Sequence, residues 1–197
     1  MSDDFPTRRA MLATSVLAAG GFLTLDTSLA QPLSPTPECR DGDDVTLRQT
    51  EGPFFKPSSP DRAELIEPGM AGQRIDLVGF VLTRGCKPVP GALVDLWHAD
   101  DKGEYDNSGF RLRGHQRADA EGRFRFRTIV PGNYEGRTRH FHVKVAPPTG
   151  RLLTTQLYFP GEPNNRRDGL YRKELLIRTA KNAGSLAGRF DFVLDMR

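Results

Sequence analysis

Within residues 139–146, positions 140–145 alternate polar and apolar side chains in the manner of a β-strand. Successive side chains of a strand point to opposite faces, so His140 and His142 share one face while positions 141, 143 and 145 (Phe, Val and Val) share the other. The two histidines stand roughly 7 Å apart at their backbones, which allows both imidazoles to reach one metal ion. The segment therefore predicts a strand with one face toward the core and one face that carries potential metal ligands.

Most of the remaining chain also consists of short apolar runs separated by turn residues. There are 20 glycines and 15 prolines among 197 residues, and almost no long helical period. The predicted strands are residues 75–83, 92–97, 122–129, 139–146, 154–159 and 190–194, with a short helix at 170–177. Arginines alternate with phenylalanines at 123–127, which is typical of a strand with one solvated face. We predict an all-β fold, a two-sheet antiparallel β-sandwich.

The first thirty residues have the features of an export signal. Arg8 and Arg9 precede a moderately apolar stretch, and a small-x-small cleavage pattern follows at 28–30. Paired arginines predict the twin-arginine export machinery, with the general secretory route as the alternative. The apolar stretch is too short for a membrane span. We predict a signal peptide at 1–30, an extended arm at 31–44 and one domain at 45–197, in an exported protein that is periplasmic or secreted.

The cysteines and the charge narrow the classes of function. Cys39 and Cys86 both follow the predicted signal, and an even count in an exported chain predicts a disulfide between them. They form no close pair of the kind that binds metal as thiolates. A net charge of +3 without a basic run or a recognised motif gives no reason to expect a nucleic-acid partner. A mild positive field does suit anionic aromatic substrates.

Two tyrosines upstream of the histidine pair extend the set of metal donors. Tyr105 and Tyr134 precede His140 and His142 in the chain. Two imidazoles suit several first-row metals, whereas added phenolates favour a hard, highly charged ion such as ferric iron. A phenol with a pKa of about 10 ionises at neutral pH only beside a strong positive charge. Taken alone, a His-x-His pair also occurs on surfaces and in packed cores.

Four segments, in order along the chain, resemble motifs of the intradiol ring-cleavage dioxygenase family. Residues 95–105 (DLWHADDKGEY) resemble its signature, which ends in an iron-binding tyrosine. Residues 131–142 (PGNYEGRTRHFH) resemble the motif that supplies a tyrosine, an arginine and two histidines. Residues 50–55 (TEGPFF) and 154–159 (TTQLYF) resemble two further stretches. The resemblance is to a short exported form of the catechol, protocatechuate and hydroxyquinol dioxygenases, without the added helical segment of larger members.

The resemblance implies a β-sandwich that binds one Fe(III) per chain. The four implied protein ligands are Tyr105, Tyr134, His140 and His142.

Further residues are implied to act on the substrate. Arg137 would stabilise negative charge on the bound ring, and Gln156 would lie close to the reacting carbons. Gly52, Pro53 and Phe54 would line the mouth of the substrate pocket. The implied reaction is cleavage of a catechol-type ring by O2 between its two hydroxyl-bearing carbons, which gives a muconate-type diacid.

Other interpretations stay open at this stage. One is an iron-free β-sandwich that serves as a binding or interaction module, and another is a zinc hydrolase with histidine ligands, although no further His, Asp or Glu has convincing spacing. His98 and His115 are expected to be structural or to lie at the pocket edge, and Trp97 to pack inside the sandwich. Tyr158 is expected to be a core or surface aromatic. The choice of diol, and of monomer or homo-oligomer, is open.

Overall fold

The protein folds into two packed β-sheets, seen in a computed structural model that describes residues 45–182 and 184–197. Within these residues there are nine strands. They are β1 (Arg74–Thr83), β2 (Leu93–Trp97), β3 (Arg113–Arg117), β4 (Arg123–Ile129), β5 (His140–Ala146), β6 (Leu153–Tyr158), β7 (Arg178–Asn182), β8 (Ser185–Arg189) and β9 (Phe192–Leu194).

The two sheets differ in strand direction. The four-stranded sheet has the order β3-β2-β5-β6 and is antiparallel throughout. The five-stranded sheet has the order β4-β1-β8-β7, and β9 pairs with the end of β1. Both β8 and β9 run parallel to β1, so this sheet is mixed. The predicted all-β sandwich is confirmed, and its antiparallel character is complete in the four-stranded sheet only.

The core lies between the sheets and follows the predicted alternation. Leu77 and Phe126 reach it from the five-stranded sheet, and Phe141 and Val143 from the four-stranded sheet, all in one buried cluster. Fully burying such a side chain contributes roughly 1.5 to 3 kcal/mol. Because Phe141 faces this core, His140 and His142 must face outward from the four-stranded sheet.

Each predicted strand occurs within two residues of its expected limits, but three further strands were missed and the one predicted helix was wrong. Strands β3, β7 and β8 were missed because their sequences are rich in polar residues and glycine. The helix predicted at 170–177 is reduced to a 3-10 turn at Lys173–Leu175. The chain beyond it runs alongside β6, where the Ile177 amide donates to the Tyr158 carbonyl, and such pairing requires extended backbone.

Three segments cover the outer face of the four-stranded sheet. We call them the strap (residues 45–62), the Tyr105 loop (98–112) and the Tyr134 loop (130–139). The strap is bonded to β6 through the Gln49 amide and the Thr154 carbonyl, 2.9 Å apart. The two loops meet where the Gly132 amide donates to the Asp100 carbonyl at 2.7 Å. The outer face of the four-stranded sheet, which carries His140 and His142, is therefore enclosed by these segments even though it does not face the core between the sheets.

Several predictions concern residues outside those described. The signal peptide with Arg8 and Arg9, the arm at 31–44 and Cys39 all lie outside the described residues. No free cysteine occurs in the part of the chain that the structure describes, and the Cys39–Cys86 bond stays a prediction. Residues 45–182 and 184–197 include no helix with the length and hydropathy needed to span a membrane.

Candidate metal centre

Strand register brings together the polar residues of the enclosed face. Across the β5–β6 pair, His142 lies opposite Gln156 and His140 lies opposite Tyr158. On the other side of β5, Trp97 of β2 pairs with His142, and the indole stacks on the imidazole at 5.0 Å with an interplanar angle of 8°. The orientation of the His142 ring is therefore fixed by packing before any ligand is considered.

Three potential donor atoms meet over this face. The hydroxyl oxygen of Tyr105 lies 3.0 Å from Nε2 of His142 and 3.4 Å from Nε2 of His140. The two Nε2 atoms are 3.1 Å apart. His140 and His142 are only 4% and 3% exposed, so the triangle of donor atoms is shielded from bulk water.

The triangle has the dimensions of a metal site. Two atoms bound about 2.1 Å from one ion are roughly 3.0 to 3.4 Å apart at angles between about 90° and 110°. Nδ1 of His140 lies 2.6 Å from the Thr138 carbonyl, which can only accept, so Nδ1 carries the proton and Nε2 presents a lone pair. Within the described residues no three His, Cys, Asp or Glu side chains form a cluster that could hold a metal ion. The third potential donor beside the two imidazoles is the phenol oxygen of Tyr105. The residues fit a cation that accepts mixed nitrogen and phenolate ligands.

Burial sets the protonation of these groups. It lowers the pKa of His140 to about 4 and lowers the pKa of His142 well below the ordinary value, so both imidazoles are neutral at pH 7. Burial also raises the pKa of Tyr105, against the opposing charges of Arg137 and Arg113. The phenol therefore needs a cation beside it to ionise.

Tyr134 lies next to the triangle but apart from its contacts. Its ring meets Tyr105 edge-on at 5.5 Å and Phe54 edge-on at 5.2 Å. It begins a tight turn in which the Arg137 amide donates to the Tyr134 carbonyl at 2.6 Å, with positive φ at Glu135 and Gly136. Its hydroxyl takes no part in the Tyr105–His140–His142 contacts among the described residues. A bond to Glu135 raises its pKa.

Arg137 and Gln156 form one hydrogen-bonded unit beside the triangle. The Arg137 guanidinium donates from Nε to both oxygens of Asp168, at 2.8 and 3.0 Å, and from Nη2 to Oε1 of Gln156 at 2.7 Å. Gln156 is fully buried, and its Nε2 donates to the Thr50 carbonyl of the strap at 2.9 Å. Gln156 thus holds Arg137 in place and ties it to the strap.

The predicted pocket residues of the strap have three different environments. Phe54 stacks on Tyr105 with centroids 4.3 Å apart and an angle of 17°. Gly52 has a φ of +73°, and a Cβ there would lie 3.1 Å from Cε1 of His142, so only glycine allows this close approach without strain. Pro53 is exposed in the turn between them. Phe54 and Gly52 therefore adjoin the predicted ligands directly, whereas Pro53 lies at the surface.

A family model described as dioxygenase matches residues 50–196. The chain belongs to the intradiol ring-cleavage dioxygenase family. The match includes the four segments that carry the resemblance and all four predicted ligands, so the recognition from sequence is confirmed.

Individual relatives of this family show how far the likeness extends. Catechol 1,2-dioxygenase 2 of Acinetobacter lwoffii is 35% identical over 60% of this chain and 52% of its own length. The protocatechuate 3,4-dioxygenase beta chain of Burkholderia cepacia is 34% identical over 64% of this chain and 66% of its own length. This chain thus spans between about half and two thirds of these relatives.

A solved member of the family is more similar in sequence. It is the dioxygenase domain of a dioxygenase carbohydrate-binding protein fusion from the cellulolytic bacterium Streptomyces sp. SirexAA-E. It is 50% identical, with a TM-score of 0.76, and the match covers 78% of this chain and 100% of that chain.

The part that several residues around this site play was not predicted from the sequence. Asp168 and Tyr158 join the Arg137 network, where the Tyr158 hydroxyl donates to Oε1 of Gln156 at 3.0 Å. Strand alternation from Gln156 would have placed Tyr158 on the site face. Nothing in the sequence near Asp168 signals its role, because it is 31 residues from Arg137. Trp97 is buried in the sandwich as expected, at 1% exposure, but it lies on the histidine side of the four-stranded sheet, where it stacks on His142.

The two remaining histidines lie away from the triangle. Both ring nitrogens of His98 have partners at 2.7 Å, the Ala99 carbonyl and the Thr128 hydroxyl, and burial lowers its pKa to about 4. His115 lies 3.1 Å from the Ser59 hydroxyl, which donates to Asp95. Both positions agree with the expected structural roles.

Proposed function

We propose that the protein is a non-haem Fe(III)-dependent intradiol dioxygenase with one iron per chain. It would use O2 to cleave a catechol-type ring between the two hydroxyl-bearing carbons and form a muconate-type diacid. The observation that carries this proposal is the buried triangle of Tyr105 oxygen and the Nε2 atoms of His140 and His142, with sides of 3.0, 3.1 and 3.4 Å.

Ferric iron, when bound there, supplies a Lewis-acid centre that binds the diol and activates it electronically toward O2. His140 and His142 would provide neutral nitrogen donors, and Tyr105 a phenolate. Tyr134 is proposed as the fourth ligand. Its half-buried ring at the start of a tight turn makes it the most adjustable of the four.

The surrounding residues prepare this site for a flat, ring-shaped substrate. Trp97 fixes the His142 ring by stacking, and Phe54 fixes the Tyr105 ring in the same way. The strap also limits the access of water, because Gly52 lies against the edge of the His142 imidazole. A rigid, enclosed site strengthens the electrostatic interactions on which charge stabilisation depends.

Arg137 is proposed to stabilise negative charge that develops on the ring. Its contacts with Asp168 and Gln156 use Nε and Nη2 and leave Nη1 outside the network. A guanidinium cannot bind a metal ion, but a fixed one can donate to an anionic substrate. Gln156 orients Arg137 in this proposal, in addition to its predicted place near the reacting carbons.

The site and the relatives support the proposed substrate class. Relatives are named catechol, protocatechuate, hydroxyquinol and chlorocatechol dioxygenases. We propose that this chain acts on a diol of the same class. Oxygen uptake with a panel of such diols would identify the preferred one.

The decisive experiment measures colour, metal and oxygen uptake on the same sample. Protein loaded with Fe(III) should bind one iron per chain, absorb in the visible through tyrosinate, and consume O2 when a catechol is added. A colourless protein that binds zinc and hydrolyses esters would instead support the hydrolase. A protein that binds neither metal yet binds a ligand would support the iron-free module.

We further propose that the chain is exported through the twin-arginine route and carries a Cys39–Cys86 disulfide. Replacing Arg8 and Arg9 by lysine should leave the precursor in the cytoplasm, and normal export of that variant would point to the general secretory route. Mass spectrometry of the unreduced exported protein should show one intrachain bridge, and two free thiols would refute it.

A further inference from the structure

Arg113, the first residue of β3, is a buried cation whose hydrogen bonds go to backbone carbonyls. It is 2% exposed. Its Nη1 donates to the Phe54 carbonyl at 2.6 Å, and Nη2 and Nε donate to the Asp106 carbonyl at 3.0 and 3.3 Å. Burial lowers the pKa of this guanidinium, and the carboxylate charges of Asp106 and Asp95 oppose that effect without accepting a hydrogen bond from it in the part of the chain that the structure describes. Burying such a charge is costly, so its position calls for a reason beyond fold stability.

Both carbonyls belong to residues that adjoin Tyr105. Phe54 covers one face of the Tyr105 ring at 4.3 Å, and Asp106 is the next residue in the chain. One planar guanidinium therefore joins the strap to the Tyr105 loop on either side of the phenol. Charge-assisted hydrogen bonds in this geometry are about twice as strong as neutral ones, and a lysine cannot reproduce the fork.

We propose that Arg113 is a positioning residue for Tyr105. It acts through the Phe54 and Asp106 carbonyls to hold the phenol oxygen 3.0 Å from Nε2 of His142. The inference rests on the proposed iron site, because the position of this oxygen matters most when it is a metal ligand. Outer residues that orient a metal ligand typically affect metal affinity about 10- to 100-fold.

The first test compares Arg113→Lys with Arg62→Lys as a matched control. Arg62 also donates to carbonyls at this end of the Tyr105 loop, those of Phe110 and Arg113, but among the described residues it donates no hydrogen bond to Phe54 or Asp106. Arg113→Lys should weaken Fe(III) affinity about 10- to 100-fold in competition with a chelator and should shift the visible band. Arg62→Lys should change the affinity less than about twofold and leave the band in place. Equal effects of the two variants would overturn the proposal.

A second test asks whether the effect passes through Tyr105. In a Tyr105→Phe background, which has no phenol oxygen, Arg113→Lys should cause no further loss of Fe(III) affinity. The same fold-loss in both backgrounds would show that Arg113 is merely structural. If Arg113→Lys does not fold, Phe54→Leu removes the stacked ring and keeps the carbonyl, and it should weaken affinity and shift the band in the same direction. An unchanged Phe54→Leu would overturn the proposal.

A metal-free measurement separates this inference from the proposed function. Wild-type protein without a visible band or bound iron would refute the iron site. Hydrogen exchange of residues 103–109 in the metal-free protein would still test Arg113. Loss of its hydrogen bonds to the Phe54 and Asp106 carbonyls should speed their exchange at least about tenfold in Arg113→Lys and not in Arg62→Lys. Unchanged exchange in Arg113→Lys would overturn the positioning role.

Discussion

Two arginine–aspartate pairs on opposite sides of the sandwich have the same closest contact distance and different surroundings. Arg137 approaches Asp168 at 2.8 Å beside the candidate metal centre, and Arg125 approaches Asp76 at 2.8 Å on the outer face of the five-stranded sheet. The side chains of the first pair are 23% and 1% exposed, and those of the second are 62% and 27% exposed. The contact distance alone therefore does not predict how much either pair contributes to stability or to function.

The difference arises from what covers each sheet. The strap and two loops enclose the outer face of the four-stranded sheet, so charges there are partly desolvated and fixed by neighbours such as Gln156. On the outer face of the five-stranded sheet, the arginines of β4 are exposed and their ion pairs are screened by water and salt. In this protein, alternating polar residues on a strand thus form a candidate functional site only where other segments of the chain cover them.

The largest expected effect is on the enclosed face, at the histidines themselves. His142→Ala should lose iron, the visible band and turnover together. Its affinity for Fe(III) should fall by more than the factor of about 10 to 100 that is typical when a residue supporting a metal ligand is lost. His115→Ala is the control, because this imidazole contacts Ser59 and lies away from the triangle. Iron content and absorbance measure the outcome. A His142→Ala protein that keeps its iron and turns over normally would remove the basis of the site.

The next effect compares the two arginines directly. Arg137→Ala should lower kcat about 100- to 1,000-fold, equivalent to roughly 3 to 4 kcal/mol, because a fixed donor to the developing charge is lost. Iron content and the visible band should remain. Arg125→Ala should leave kcat within about twofold of the wild type. Loss of iron from the Arg137 variant with normal turnover per iron would instead make Arg137 structural.

A smaller effect is expected from the aspartate that holds Arg137. Asp168→Asn should lower the free energy of unfolding by about 2 kcal/mol, less than for a fully buried pair because Arg137 is partly exposed. Denaturant unfolding at pH 7 measures this change. Asp76→Asn is the matched control and should cost less than about 1 kcal/mol.

The same pair gives a pH dependence with a definite sign. Burial alone would raise the pKa of Asp168, but bonds from the Leu170 amide, Arg137 and the Thr138 amide hold it below its ordinary value. The unfolded carboxyl, with a pKa of about 3.9, takes up its proton first as the pH falls. The stability from this pair is therefore complete above about pH 5 and is lost as the pH falls through the folded pKa. Asp168→Asn should lack this component, and an unchanged acid dependence would contradict the assignment.

The smallest effect is expected on the open face. Arg125→Ala should change the free energy of unfolding by less than about 1 kcal/mol, because exposed ion pairs seldom contribute more. Thermal unfolding at low and high salt provides the measurement. A loss comparable to that of Asp168→Asn would mean that the two faces do not differ as described.

The sequence by itself determined the fold class, most strands and the predicted ligand set. The alternation within β5 assigned Phe141 and Val143 to the core and the histidines to the opposite face, because a strand has no other way to arrange them. The motifs then identified the family, which the comparison confirmed. Strands β7 and β8 escaped prediction because they have few large apolar residues to signal burial.

Only the tertiary structure decided how the site is supported. Asp168 binds Arg137, which is 31 residues away in the chain, and Arg113 donates to the carbonyl of Phe54, which is 59 residues away. Because every residue has the same backbone carbonyl, no sequence pattern predicts which carbonyl will accept a hydrogen bond from a buried guanidinium. Donor atoms can be read from residue types, whereas their separation to within about 0.5 Å depends on packing between segments distant in the chain.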